Sequence, residues 1–320
     1  MSAILSPDPG SFHQQAEVSS TLPADWYFDP AIYELEHQRI FYRSWWYLCH
    51  QSRVDQAGAR YVDKIGERPV ELLNSDGELQ AWCLERRVRL ENYAGFLFVN
   101  LDDDAVPLKQ QASAFIGDMY DSCPELDQLV PVRRFEREIA ANWKTLIDNN
   151  HECYHCEANH KSLMQMVDYR NQAVWSDDGI TFSHKVERND SGASAYRIDQ
   201  DSAQQTSLFG YIWPNLIPLF FPGTPSLIMF QVIPLAPERS LVRHDFYLTS
   251  STPGQRETEF MNWFSNVLNV EDVSLCENVQ KGLHSLGYHQ GRLIVDRNRP
   301  EISEHHVHFF QSMVKRALVD

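Results

Sequence analysis

The chain reads as an α+β protein built on a largely antiparallel sheet, and three observations lead there. Three-to-four apolar spacing is confined to a few long stretches. Between them lie short β-branched or aromatic runs. The two kinds of segment come in blocks instead of alternating as β-α-β units, which argues against a parallel sheet.

In order along the chain, residues 1–20 are polar and read as a flexible leader. Residues 22–48 read as helical, opened by Asp29–Pro30, with apolar spacing through AIYELEHQRIFYRSWWYLC. From about Arg60 the pattern turns strand-like in ARYVDKIG, PVELLNSDGELQAWCL and GFLFVNL, and Ser75-Asp76-Gly77 predicts a hairpin turn. Residues 107–122 and 141–165 predict helices. ITFSHKV, LFGYIWPNLIPLFF, SLIMFQVIPL and SLVRHDFYL predict strands, and 254–284 and 303–317 predict the closing helices. There are no internal repeats.

At 320 residues the chain can bury a sizeable core, and 43% hydrophobic content is ordinary for a soluble protein. No apolar run approaches the roughly 18–20 residues that span a bilayer. A net charge of −16, spread along the chain, argues against nucleic acid or an anionic membrane as partner. Six cysteines without a secretion signal read as cytoplasmic thiols, buried or ligating, and not as a disulfide framework.

The chemistry concentrates in HECYHCEANH, residues 151–160. A zinc or iron–sulfur knuckle would need a second cysteine pair beside Cys153 and Cys156, whereas the remaining cysteines stand alone. A mononuclear iron site needs two neutral imidazoles and one carboxylate. His155 and His160 are five apart, about 140° around a continuous helix, so the helix must end or bend between them to aim both at one ion. Asp272, beside an inward stripe of Leu275, Cys276, Val279 and Leu283, is the best third ligand. Spacing alone leaves a third reading open, a polar helix with nothing bound.

ANWKTLIDNNHECYHCEANH followed by EDVSLCENVQKGL resembles the catalytic domain of Rieske non-haem iron oxygenase α subunits, in the branch of choline, glycine betaine and carnitine monooxygenases. LPADWYFDPAIYELEHQRIFYRSWWYLCH is similar to that family's N-terminal helix and first strand. GFLFVNL resembles the strand leaving its Rieske domain, and YIWPNLIPLFFPG and MFQVIPLAPERS its catalytic sheet. The resemblance implies a helix-grip, START-like catalytic domain over 106–320 and a truncated Rieske β domain within 21–105. It implies Fe(II) held by His155, His160 and Asp272, with Cys153 and Cys156 as neighbours. It also implies a carboxylate linking the iron histidines to an electron donor, matched by Glu152 or Glu157.

The family's cluster-binding Cys/His pairs should lie between ELQAW and GFLFVNL, but the interval CLERRVRLENYA holds one cysteine, Cys83, and no histidine. No [2Fe–2S] cluster is therefore expected in this chain. Electrons for oxidising a small organic substrate with O₂, by hydroxylation or demethylation, would come from elsewhere, and a separate reductase or ferredoxin and a homo-oligomer are compatible with that. The alternatives are an iron enzyme whose substrate supplies the electrons, as in oxidative rearrangement, desaturation or C–C cleavage, and a non-catalytic binding or regulatory homologue.

Trp213, Phe220 and Phe221, in the apparent catalytic sheet, are the pocket candidates. Trp45, Trp46 and Tyr47 read as packing, because consecutive residues cannot all face one way. His305, His306 and His308 read as polar or supporting groups. Asn149 and Asn150 read as residues that orient a ligand histidine or bound water, or as local caps.

Overall fold

The computed structural model describes residues 6–175, 179–189, 194–296, 298–299 and 302–320, with 170–175 described by their backbone alone. Asp29 caps the first helix, α1 (Pro30–Arg39), by accepting from the Ala31 amide at 2.7 Å, with Pro30 supplying a pre-set first turn. The region expected as one helix over 22–48 then changes character. β1 (Trp46–His50) pairs with β6 (Phe96–Asn100). Trp46 packs on one side of β1 and Trp45 and Tyr47 on the other, the alternation that a strand imposes.

β2 (Arg60–Ile65), β3 (Arg68–Ser75), β4 (Glu78–Cys83) and β5 (Arg86–Tyr93) complete an antiparallel sheet in the order β1-β6-β5-β4-β3-β2. The predicted hairpin forms at Asp76 and Gly77, with φ of 52° and 93°. RRVRLENY, which no sequence pattern marked as a strand, is β5, and only Leu84 and Glu85 separate it from β4. Cys83 pairs across that turn with Arg86.

α2 (Leu108–Gln111) and α3 (Phe115–Ser122) lead into the second sheet. Its strands are β7 (Val130–Ile139), β8 (Val167–Trp175), β9 (Thr181–Arg188), β10 (Ser207–Ile212), β11 (Leu216–Phe220), β12 (Ser226–Ala236) and β13 (Arg239–Leu248). They run antiparallel in the order β7-β13-β12-β11-β10-β9-β8. Between β7 and β8 the predicted helix 141–165 is split into α4 (Trp143–Asn150), α5 (Cys156–Asn159) and α6 (Lys161–Met166). α7 (Gln255–Trp263), a π-helical turn at Phe264–Leu268 and α8 (Asn269–Leu283) follow the sheet, and α9 (His305–Val319) closes the chain.

One face of the second sheet packs on the first: Tyr47, Phe96 and Phe98 meet Leu216, Phe220, Met229 and Tyr247. Arg134 ties the two sheets together, donating to Asp245 at 2.6 and 2.7 Å and to the Tyr61 hydroxyl at 2.9 Å. The other face lies under α4, α8 and α9 and carries the candidate site. The segment expected as a flexible leader is fastened from about residue 8: Ser11 and Leu293 bond across to Gln290 and Ser19, and Phe12 stacks on His308. Residues 1–5 lie outside the described residues.

Candidate active site

Asn142 opens α4, its side chain accepting from the Lys144 amide at 2.9 Å, and the helix stops at Asn150. His155 stands immediately before α5, and His160 sits between α5 and α6 with φ −104° and ψ 62°. The helix breaks where the five-residue spacing required it to break. His155 Nε2 and His160 Nε2 come within 3.0 Å of each other. From α8, Asp272 Oδ1 lies 2.9 Å from His160 Nε2 and 3.5 Å from His155 Nε2. A π-helical turn directly before α8 resets its register, and such turns occur often at functional sites.

Each histidine is held from behind by a carboxylate. His155 Nδ1 bonds Glu152, and Glu152 also accepts from the backbone amides of Tyr154 and His155. His160 Nδ1 bonds Glu271 at 2.8 Å. Burial alone would push the His155 pKa down, but Asp272 and Glu152 raise it to about 9. His160 is raised in the same way, against burial, by Asp272 and Glu271. Burial pushes the Asp272 carboxyl up, and hydrogen bonds from His155, His160 and Asn149 outweigh it and lower the pKa to about 2.

The structure departs from several sequence expectations. Asn149 holds the carboxylate and not a histidine, donating to Asp272 Oδ1 at 2.9 Å. Asn150 follows the local-capping alternative, donating to the Leu146 carbonyl at 2.8 Å. Glu157 is solvent-exposed on α5. Of the pocket candidates only Phe221 lines the cavity at the histidines; Phe220 points through the sheet into the inter-sheet core, and Trp213 packs between Trp143 and Phe310. Of the expected stripe on α8, Cys276 is buried as expected but Val279 is 45% exposed, and Asn269 and Gln280, outside the stripe, are buried beside Cys276. Cys153 and Cys156 are joined as a disulfide, contrary to the reading of six thiols, while Cys49, Cys83, Cys123 and Cys276 are free and buried.

Sequence reasoning missed Glu271 and most of the cavity wall. The cavity measures about 70 Å³. Tyr169, Phe209, Phe221, Phe230 and Phe264 form an aromatic side, and His151, His184 and His306 stand among its other lining residues. His151 is 2% exposed, and among the described residues no side chain or backbone group meets either ring nitrogen in good hydrogen-bond geometry. Burial, then repulsion by His184, pushes its pKa well below the usual imidazole range. His184, whose Nδ1 likewise has no such partner, is pushed to about 4 by burial and then by His305.

Two histidines and a carboxylate converging on one point above an antiparallel sheet are the donor set that non-haem iron oxygenases use. The family follows from direct comparison: the ring hydroxylating alpha subunit catalytic domain matches residues 126–319, and the chain belongs to that family. The carnitine monooxygenase oxygenase subunit of Acinetobacter baumannii is 27% identical over 361 positions, covering 96% of this chain and 97% of the relative. The chloroplastic choline monooxygenase of Atriplex hortensis is 24% identical over 353 positions, covering 92% of this chain and 77% of the relative. A crystal structure of a quaternary ammonium Rieske monooxygenase with L-carnitine superimposes with a TM-score of 0.85 at 24% identity, over 98% of this chain and 100% of the other. These relatives belong to the branch that the sequence resembled. Among the described residues, no helix is long and apolar enough to cross a membrane.

Proposed function

We propose that this chain is a mononuclear non-haem Fe(II) oxidoreductase that oxidises a compact methylated amine or betaine with O₂, by hydroxylation or demethylation. One observation carries the reading. With both Nδ1 atoms facing carboxylates, each imidazole presents its Nε2 lone pair to the other and to Asp272 Oδ1, at 2.9–3.5 Å. In the absence of a metal, protons on the histidines satisfy Asp272, which is why the pKa of both imidazoles is raised. With both imidazoles neutral, the three acceptors facing one another suit a metal cation between them. Ligand atoms about 2.1 Å from a metal and at right angles would be about 3 Å apart, so the donor set fits. Such a centre, when bound, leaves open positions at which O₂ is activated.

The chain's own residues do the rest. Glu152 and Glu271 fix the tautomer and orientation of the two histidines, and Asn149 fixes the carboxylate. The aromatic wall suits a methylated ammonium through cation–π attraction. The neutral His151 and His184 offer ring nitrogens to a polar terminus on the same molecule. A water needs about 10–15 Å³, so a cavity of about 70 Å³ suits a small ligand. The named substrates of the relatives, carnitine and choline, are of this chemical kind.

The electrons, in this reading, do not come from a [2Fe–2S] cluster in this chain. Support comes from the two-residue turn between β4 and β5, and from an alignment of 361 positions against a chain of 320 residues. Residues 21–105 are then a truncated β domain, and 106–320 the catalytic domain. The test is anaerobic loading with Fe(II), metal analysis, and oxygen uptake with glycine betaine, choline and carnitine. About one iron per chain without acid-labile sulfide is expected, and a red-brown protein carrying sulfide would overturn the reading.

A further inference from the structure

The Cys153–Cys156 disulfide lies in the wall of the cavity that contains His155 and His160. Its sulfurs flank the first histidine in sequence, and Cys156 Sγ lies within 4.8 Å of a ring nitrogen of each histidine. Cys156 is 4% exposed, while Cys153 is half-buried. A bridge across so short a loop draws the least from loop-closure entropy. The turn it spans is already held by Glu152 on two backbone amides and by the Cys156 amide on the Cys153 carbonyl at 3.0 Å. The fold therefore has little need of the covalent bond, whereas the location beside the histidines calls for an explanation.

We propose that Cys153 and Cys156 are a dithiol–disulfide pair that supplies the two electrons of the oxidation; this rests on the iron reading above. The reaction balances as R–H, O₂ and two thiols giving R–OH, water and one disulfide. One oxygen atom enters the C–H bond, and the other leaves as water with the two thiol hydrogens. The two sulfurs give up two electrons as the S–S bond forms. A dithiol reductant of the thioredoxin class then restores the pair by exchange. Its thiolate meets the more accessible Cys153 first and releases Cys156 into the cavity wall. The pair fills the place left by a cluster that this chain is not expected to hold.

The experiment uses the full chain, reduced, loaded with Fe(II) without oxygen, and freed of excess reductant. A pulse of O₂ is given with glycine betaine, choline and carnitine as separate probes. Peptide mapping after alkylation reads the thiols, and product is read in parallel. With at least one probe, about one Cys153–Cys156 disulfide should form per product molecule. Without metal, the bridge should open and close reversibly with dithiothreitol. Cys153→Ser and Cys156→Ser should keep iron affinity within about threefold of the parent. They should lose more than tenfold in product made with a dithiol reductant, while hydrogen peroxide, which brings its own oxidising equivalents, still drives product formation. Parent-level product from either variant with dithiol, or thiol loss without product, overturns the pair and leaves the iron reading standing. A parent that binds no iron overturns both.

Discussion

Asn149 on α4 and Asp272 on α8 are joined by a 2.9 Å hydrogen bond, to the same carboxylate oxygen that His160 Nε2 meets at 2.9 Å. The amide fixes the rotation of the carboxylate before any ligand arrives and couples the two helices at the site. Removing it in Asn149→Ala should weaken Fe(II) affinity about 10–100-fold, the usual cost of losing a group that orients a ligand. Anaerobic iron titration measures this, and an unchanged affinity would show that Asp272 is held by its helix alone.

The carboxylates behind the histidines make a sharper test. Glu152→Leu and Glu271→Leu remove the acceptor that the Nδ1–H of His155 and of His160 needs. Neither the tautomer nor the ring orientation is then fixed, and a proton on Nε2 is no longer disfavoured. Each change should reduce iron affinity about 10–100-fold. Glu157→Gln, on an exposed position, should leave it unchanged. Equal losses from all three would mean that general negative charge, and not these two hydrogen bonds, sets the affinity.

How much of this was legible in the sequence follows from the geometry of each element. The five-residue spacing of His155 and His160 demanded a helix break, and one is found there. Glu271 escaped notice because it is adjacent to Asp272, and no spacing rule shows that neighbours on a helix will address two different histidine atoms. Phe220 and Phe221 could not be told apart because β11 is buried on both faces, which erases the alternation that marks an inward side. RRVRLENY and VPVRRFEREI were missed as strands for the opposite reason: their charged residues hide a period that pairing with neighbours makes plain. The disulfide was unreadable because a cysteine pair spaced by two residues is equally consistent with metal binding, redox chemistry and inert thiols.

Away from the cavity, Glu36 of α1 and Lys144 of α4 form an ion pair with both side chains fully buried, and Trp143 Nε1 donates to the same glutamate at 2.8 Å. Burial pushes Glu36 up and Lys144 down, and each charge is sustained by the other. Glu36→Gln or Lys144→Met should therefore destabilise the fold by about 3–5 kcal/mol, because one buried charge loses its partner. The double change Glu36→Gln with Lys144→Met, which keeps an acceptor for Trp143 Nε1, should recover most of that loss. Chemical denaturation of the three variants checks it, and additive losses in the double variant would contradict the account.

Asp148, one residue before Asn149, gives a pH-dependent test. Its Oδ2 accepts from the Tyr27 hydroxyl at 2.6 Å and from Gln311 at 3.1 Å, while Oδ1 is buried with no partner among the described residues. Burial raises its pKa to about 7, against the lowering effect of those two donors and of Lys144. A carboxyl with a folded-state pKa above its unfolded value near 3.9 contributes stability that is fully present below about pH 4 and lost as the pH rises through about 7. Asp148→Asn stays neutral and keeps an acceptor for Tyr27, so it should escape that loss. Near pH 4 the two proteins should melt together; by pH 8 the variant should melt a few degrees higher. Because every other titrating group is common to both proteins, the difference between their melting curves isolates this one carboxyl. A gap that stays constant from pH 4 to 8 would mean that Asp148 is ionised in the fold throughout, balanced by Lys144, and that its unpartnered oxygen is tolerated as a charge.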